Sequence, residues 1–409
     1  MQELARDGYS SEEIRDMLHG KYGSRVVKFR YDLLDRQERK KGELLRVRSG
    51  EVSMNAFNTI KRTAKFTLED EYVDTRTYYT WKDVNDSTWV DLGASLYEDL
   101  WTVEKESALK VDWLNDRIQP FAMFKMPDGG WIEFSLGIFL LSSPTKKDES
   151  GFVVRTVEAY DGLIILDQDK FTERTYFPAG TTYEKAVTDI LKSAGITKIN
   201  IDIPSGAKLP NDKEYATGDS KLSAINDLLD SVNNTPLWVD SGGYFRSSPY
   251  ERPDEKAIGY TYSDQELSII VEGVEEELDI FDVPNSWVVT VSNPEGESMT
   301  ARRDNTNINS PTSIPSRGRR IVDFRQVDDI ASREALNAYV ERIASEASQV
   351  YGKVTFETPI MPHHEYYDVI ELKYAPLGID DRFSETSWTI KLEAGAMMTH
   401  EARRVVSID

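Results

Sequence analysis

The sequence has no cysteine, only four histidines among 409 residues, and no apolar run near the roughly 20 residues that a membrane-spanning helix needs. The lack of cysteine excludes disulfides, thiolate zinc sites, iron–sulfur ligation and cysteine nucleophiles, so the fold must rest on packing and assembly. The opening residues, MQELARDGYSSEE, are too polar for a secretory signal, which implies synthesis and folding in a cytoplasm. No GxSxG elbow, GxxxxGK[ST] phosphate loop or GxGxxG turn occurs. His19, His363, His364 and His400 stand at no metal-ligand spacing such as HExxH. In the triplet His363-His364-Glu365, neighbouring strand residues point to opposite faces. The two imidazoles are therefore expected not to share an ion, and the triplet is expected in an exposed hairpin connection. With 71 acidic residues, carboxylate pairs arise everywhere by chance and define no acid/base pair. The expectation is a non-enzyme with no catalytic, cofactor or metal site.

What is present is a large, acidic, aromatic-rich chain. Its length predicts two to four domains. The composition, 39% hydrophobic with 8 Trp, 20 Tyr and 15 Phe, suits a folded β-rich protein and argues against disorder. A formal charge of −22 disfavours nonspecific nucleic-acid binding, which requires phosphate neutralisation by Lys and Arg. The charge is unevenly spread. Residues 21–65 carry 13 Lys and Arg against 5 Asp and Glu, and residues 251–285 carry 11 acidic against 2 basic residues. Either these are two ordinary solvated faces or they are unlike surfaces that meet between subunits.

Periodicity divides the chain into four parts. Residues 1–24 form an N-terminal helical arm: Ser10 and Glu13 make a capping box, Gly20 is a stop, and Ile14, Met17 and Leu18 are its only anchors. A short helix with three anchors must dock on something. A strand pattern follows Gly23, which argues against a helix-turn-helix. Residues 25–168 alternate at period two and form a β-barrel or closed sandwich, with a hairpin at Asp128-Gly129. Here Tyr78, Tyr79, Trp81, Trp89, Tyr97 and Trp101 are expected to pack in a core rather than line a carbohydrate groove. Residues 169–255 form a small α+β domain with helices over 182–194 and 220–232 and a hairpin at Gly242-Gly243. Residues 256–409 return to strands, interrupted by a helix over 332–350 behind the N-cap Ser332. Residues 297–320 read as a long polar loop bearing Arg302, Arg303, Arg317, Arg319 and Arg320, which are candidate assembly contacts.

This order of domains resembles the baseplate or tail hub family of tailed bacteriophages and prophages, including the hub region of tail-associated lysins. The stretches YGSRVVKFRYDLLDR and SGEVSMNAFNTIKRTAKFTLED are similar to the opening of hub proteins from siphophages and prophages of Gram-positive bacteria. TYEKAVTDILKSAGI with KLSAINDLLDSVNNTPLWVDSGGYFRSSPY resembles the family's middle domain, and SPTSIPSRGRRI its later arginine-containing loop. The resemblance implies a mixed, β-rich α+β protein in which two tail-tube-like barrels flank the α+β domain. It implies a homotrimer around the tail axis, made in the host bacterial cytoplasm and located at the virion tail tip. Three subunits with two barrels each would match a six-fold tube to a three-fold tip. The implied partners are distal tail protein, tail tube proteins, tape measure protein and tip or fibre proteins, with DNA passing through a channel of neutral or acidic wall without specific binding. Because the sequence ends at Asp409, just after its last strand, no lytic domain is expected. The competing readings are a receptor- or polysaccharide-binding tip protein and, behind it, a cell-wall hydrolase.

Overall fold

The computed structural model describes residues 1–70, 111–149, 152–278, 281–291, 299–327, 330, 332–348 and 352–405. The aromatic cluster from Tyr78 to Trp101 lies outside the described residues. The helix Ser11–Leu18 starts where its capping pattern places it: Ser10 Oγ accepts from the Glu13 amide, and the Glu13 carboxylate accepts from the Ser10 amide. Ile14, Met17 and Leu18 are buried, and they join a core otherwise built by strands from both ends of the chain. That contact supplies the docking that three apolar anchors require.

The strands from the two β regions form one sheet. Val47–Asn55 pairs antiparallel with Ile379–Lys391, setting Met54 opposite Trp388 and Val52 opposite Ile390. From this seam one side runs through Met397–Arg404 and Gly352–Pro359 to Glu275–Leu278. The other runs through Arg62–Asp70, Phe152–Tyr160, Phe139–Leu141, Arg117–Lys125 and Val27–Leu34 to Lys40–Glu43. Fifteen strands belong to it. Phe66, Phe124, Phe356 and Trp388 share a single core beneath it. The two regions that periodicity separates are therefore joined by cross-strand hydrogen bonds and common burial, and among the described residues no sheet closes on itself. Alternation fixes the register of the strands: in Trp131–Ser135 every second residue, Ile132 and Phe134, is buried. Gly129 takes the positive φ of 95° at the expected Met126–Gly130 turn.

The middle region packs the helices Tyr183–Ser193 and Lys221–Ser231, capped by Thr182 and Ser220, around a second core. Ile190 and Leu191 share that core with Leu237, Val239 and Phe245 of the Gly242-Gly243 hairpin and its approach. Leu163 and Leu166 of the short helix Leu163–Gln168 also join it.

Between Glu275–Leu278 and Gly352–Pro359 the chain builds a third unit. Ser286–Val291 is flanked by Met299–Asp304, antiparallel, and Val322–Val327, parallel. The helix Arg333–Ser348 covers one face, with Leu336, Val340 and Ile343 against Trp287, Val289 and Val291. This corrects the reading of 297–320 as a loop. Met299–Asp304 is a strand that polar Thr300, Arg302, Arg303 and Asp304 conceal, because only Met299 and Ala301 mark its inner face. The rest is ordered by side chains: Asn305 Nδ2 donates to Ser310 Oγ (2.9 Å), and Ser313 caps a single helical turn, Ile314–Arg317, that Gly318 ends in the left-handed region. Arg342 ties this unit to the middle region by donating to Asn234 O (2.9 Å) and Asp230 Oδ1 (2.7 Å). No helix among the described residues is long and apolar enough to cross a membrane.

Candidate functional site

Four strands and one connection bring ionisable and polar groups together inside the β core. Tyr262 lies on Tyr260–Ser263, Thr358 on Gly352–Pro359, Glu385 on Ile379–Lys391 and His400 on Met397–Arg404, while residues 360–368 between two strands carry His363, His364, Glu365 and Asp368. His364, Glu385 and His400 are completely or almost completely buried. The triplet expected in an exposed connection is thus one of the most enclosed parts of the molecule. Met361, Ile360 and Val369 around it are buried too, and they pull the connection inward. Tyr260 packs its ring on His363 at 4.7 Å, and Phe356 stacks on His400 at 4.6 Å.

The contacts form a chain. Tyr262 Oη lies 2.6 Å from His364 Nε2. His364 Nδ1 contacts Glu385 Oε2 and lies 3.6 Å from Asp368 Oδ2. Glu385 Oε1 meets His400 Nδ1 at 2.5 Å, and His400 Nε2 meets Thr358 Oγ1 at 2.8 Å. The N-terminal ammonium of Met1 reaches in to Asp368 Oδ1 (2.6 Å), and the Glu365 amide donates to Asp368 Oδ2 (2.7 Å). Burial alone would lower the His364 pKa, but the carboxylates of Glu385 and then Asp368 hold it up at about 9. Burial dominates at His400, which titrates below its ordinary value despite Glu385, and at His363, which lies well below. Burial would raise Asp368, but the Met1 ammonium and His364 hold it well below the usual carboxylate range. Glu385 is lowered against its burial, chiefly by His364. The cluster therefore balances two cations, His364 and the N-terminus, against two carboxylates.

A second buried pair adjoins it. The guanidinium of Arg62 contacts Glu365 Oε2 and donates to Leu136 O (2.8 Å), while Glu365 Oε1 accepts from the Ser241 amide (3.1 Å). This links the first β region, the 360–368 connection and the middle region's hairpin. Gly137, at φ +132°, is required beneath the arginine: a Cβ there would stand 2.8 Å from Arg62 Cδ.

The five candidate arginines occupy two faces of the third unit. Arg302 (2.6 Å) and Arg320 (3.4 Å) converge on Asp304 Oδ2. Arg303, on the inner side of the same strand, reaches Glu341 of the covering helix (3.3 Å). Arg317 donates to Val283 O (2.8 Å) and Arg319 to Phe281 O (2.9 Å), with the Arg319 guanidinium 4.9 Å from the Phe281 ring centroid. These contacts hold the 281–283 segment, and Phe281, Ile308, Val322 and Phe324 are exposed on the same unit. The histidine cluster carried one sequence signal. In MMTHEARR, period two puts His400 on one face with Met398 and Ala402, both buried.

No family model and no curated protein sequence matches the chain. Solved structures do. A tail protein from Neisseria meningitidis MC58 superposes with a TM-score of 0.60 at 9% identity, covering 93% of this chain and 97% of that one. The 43 kDa tail protein of prophage MuSo2 from Shewanella oneidensis gives 0.58 at 8% identity, with 94% and 99% covered. Prophage tail protein gp18 from Listeria monocytogenes EGD-e gives 0.53 at 13% identity, with 91% and 94% covered. The chain has the fold of these phage and prophage tail proteins, along nearly its whole length and theirs.

Proposed function

We propose that the chain is a structural subunit of the tail-tip hub of a tailed phage or prophage: a homotrimer that joins tail tube to host-facing tip and surrounds the DNA passage. The observation that carries this reading is the shared fold with the Neisseria tail protein over 93% of this chain and 97% of that one. The sheet supplies a second support. Its two ends among the described residues are unlike: Lys40–Glu43 reads KKGE and Glu275–Leu278 reads EEEL, and both are largely exposed. An open sheet with a basic edge and an acidic edge suits a head-to-tail interface, which closes when repeated around an axis. Tube-like closure then arises between subunits rather than within one. In this assembly its partners are distal tail, tail tube, tape measure and tip or fibre proteins. A −22 chain keeps the passage from gripping DNA phosphates.

Imaging of the purified protein, and of tails that contain it, tests the reading. A three-fold ring with an axial opening lined by neutral or acidic groups is expected. A monomer or dimer within the assembled tail, a ring without a pore, or a wall dominated by Lys and Arg would refute it.

A further inference from the structure

We propose that His364, His400 and Glu385, with Asp368 as fourth ligand, form a buried structural site for a divalent transition-metal ion, with zinc as the best match to the donor set. The candidate ligand atoms of His364, Glu385 and His400 lie within 4.8 Å of one another. Asp368 Oδ2 lies 3.6 Å from His364 Nδ1 and outside that three-residue group, so it becomes the fourth ligand by moving inward when the ion binds. Two imidazoles and two carboxylates suit tetrahedral zinc, whereas calcium and magnesium would want oxygen alone. At zinc–ligand distances of about 2.0–2.1 Å, tetrahedral donors stand roughly 3.3 Å apart. Loading therefore needs side-chain shifts on the order of 1 Å.

The hydrogen-bond chain aims the right atoms inward. Thr358 Oγ1 stands 2.9 Å from Pro359 O, to which its hydroxyl can donate, and 2.8 Å from His400 Nε2, from which it can then accept. In that arrangement His400 Nδ1 is the ring atom turned toward Glu385 Oε1, 2.5 Å away, and it is the atom free to ligate an ion. A metal ion bound here would take the place of the proton that otherwise joins His400 Nδ1 to Glu385 Oε1. His364 Nδ1 and Glu385 Oε2 also face each other as a buried ion pair, whose proton a bound metal ion would displace. Tyr262 at His364 Nε2 and Thr358 at His400 Nε2 are the outer partners that metal-bound histidines use to fix ring orientation. With four protein ligands and no solvent-open position, the ion would pin together Ile379–Lys391, Met397–Arg404 and the 360–368 connection. Chemistry on a substrate would have no room.

The test uses the full chain, refolded in parallel with excess chelator, with Zn²⁺ and with Co²⁺. We expect one zinc per chain after gel filtration, a tetrahedral ligand-field band with Co²⁺ that zinc abolishes, and a melting temperature several degrees above that of the chelated chain. Glu385→Gln should weaken Co²⁺ binding at least tenfold, while His363→Gln, which alters a neighbouring buried ring outside the ligand set, should retain it. Should Glu385→Gln not fold, the wild-type cobalt spectrum and zinc stoichiometry decide alone. A refolded wild-type chain with no bound Zn²⁺ or Co²⁺ and an unchanged melting temperature overturns the proposal, as does Co²⁺ binding indifferent to Glu385→Gln. Ring formation does not enter these readouts, so the site can fail while the hub reading stands.

Discussion

The middle region and the β core solve burial in opposite ways. The middle region packs Val187, Ile190, Leu191, Ile225, Leu228 and Leu229 together at its centre and buries a few polar groups, such as Asn234 and Lys221, beside them. The β core instead encloses His364, His400, Glu385, Asp368, Arg62 and Glu365 among its aromatics. An apolar core depends on volume and shape and tolerates similar-sized replacements. A core with buried charges depends on each partner, because removing one leaves the other desolvated and alone. The charges sit where segments remote in sequence must meet in one arrangement: the N-terminus, the first β region, the 360–368 connection and the last two strands.

The comparison is broken most sharply by forcing a charge into the apolar side. Ile190→Asp puts an unpartnered carboxylate between the helices and the hairpin and should destabilise by on the order of 5 kcal/mol, read as a large fall in the urea midpoint. A variant that melts like the parent would remove Ile190 from the core. Next comes the ionic side. Glu365→Leu alone leaves Arg62 buried without its carboxylate and should cost about 3–5 kcal/mol. Combining it with Arg62→Met should recover most of that loss, since an apolar pair of similar volume carries no desolvation penalty. Equal losses for the single and double variants would mean the pair's hydrogen bonds to Leu136 O and from the Ser241 amide matter more than its charge balance.

Legibility in the sequence follows the same divide. The middle helices and the Gly242-Gly243 hairpin were readable because apolar residues recur at helical spacing over 182–194 and 220–232, although their caps Thr182 and Ser220 were not read. The N-terminal helix was readable from the Ser10–Glu13 capping box, the Gly20 stop and the Ile14, Met17 and Leu18 face. The histidine cluster was not, beyond the His400 face, because its members come from positions 1, 262 and 358 to 400 and meet only through strand pairing and a connection with no period of its own. The seam between Val47–Asn55 and Ile379–Lys391 was equally hidden, since pairing across more than 300 positions leaves no local trace. The strand Met299–Asp304 was lost because the charged outer face of an edge strand looks like a loop.

Lys61 stands where the chain passes between the two kinds of core: Ile60 packs on the middle region and Arg62 lies in the β core. Its Nζ donates to Ala56 O (2.7 Å), and burial, opposed by Asp161, lowers its pKa to about 8. The unfolded value is near 10.5. Between these values the unfolded chain holds a proton that the folded chain has released, so this contribution to stability rises as pH increases from about 8 to 10.5. At pH 7 the buried ammonium is a cost. Lys61→Met should therefore lose its advantage over the parent by about 1–2 kcal/mol on going from pH 7 to pH 10, measured as the difference between paired urea titrations. A pH-independent difference would show that Lys61 keeps its proton throughout.

The smallest effect on the monomer is expected in the third unit, where neither strategy dominates at the surface. Replacing Arg317, Arg319 and Arg320 by Ser removes donors to Val283 O and Phe281 O and one contact with Asp304. The Phe281 carbonyl can turn to solvent, water can fill the space that Arg317 leaves beside the buried Val283 carbonyl, and Asp304 keeps Arg302 at 2.6 Å, so the fold should lose only about 1 kcal/mol. Assembly should respond differently. Arginines that flank exposed Phe281, Val322 and Phe324 make the mixture of guanidinium and aromatic surface in which binding energy concentrates, and acidic surface to receive them is abundant on a −22 chain. The triple variant should thus purify and melt close to the parent yet enter tails poorly, scored by particle yield in a complementation assay. Parental yield would confine these arginines to holding the 281–283 segment within their own subunit.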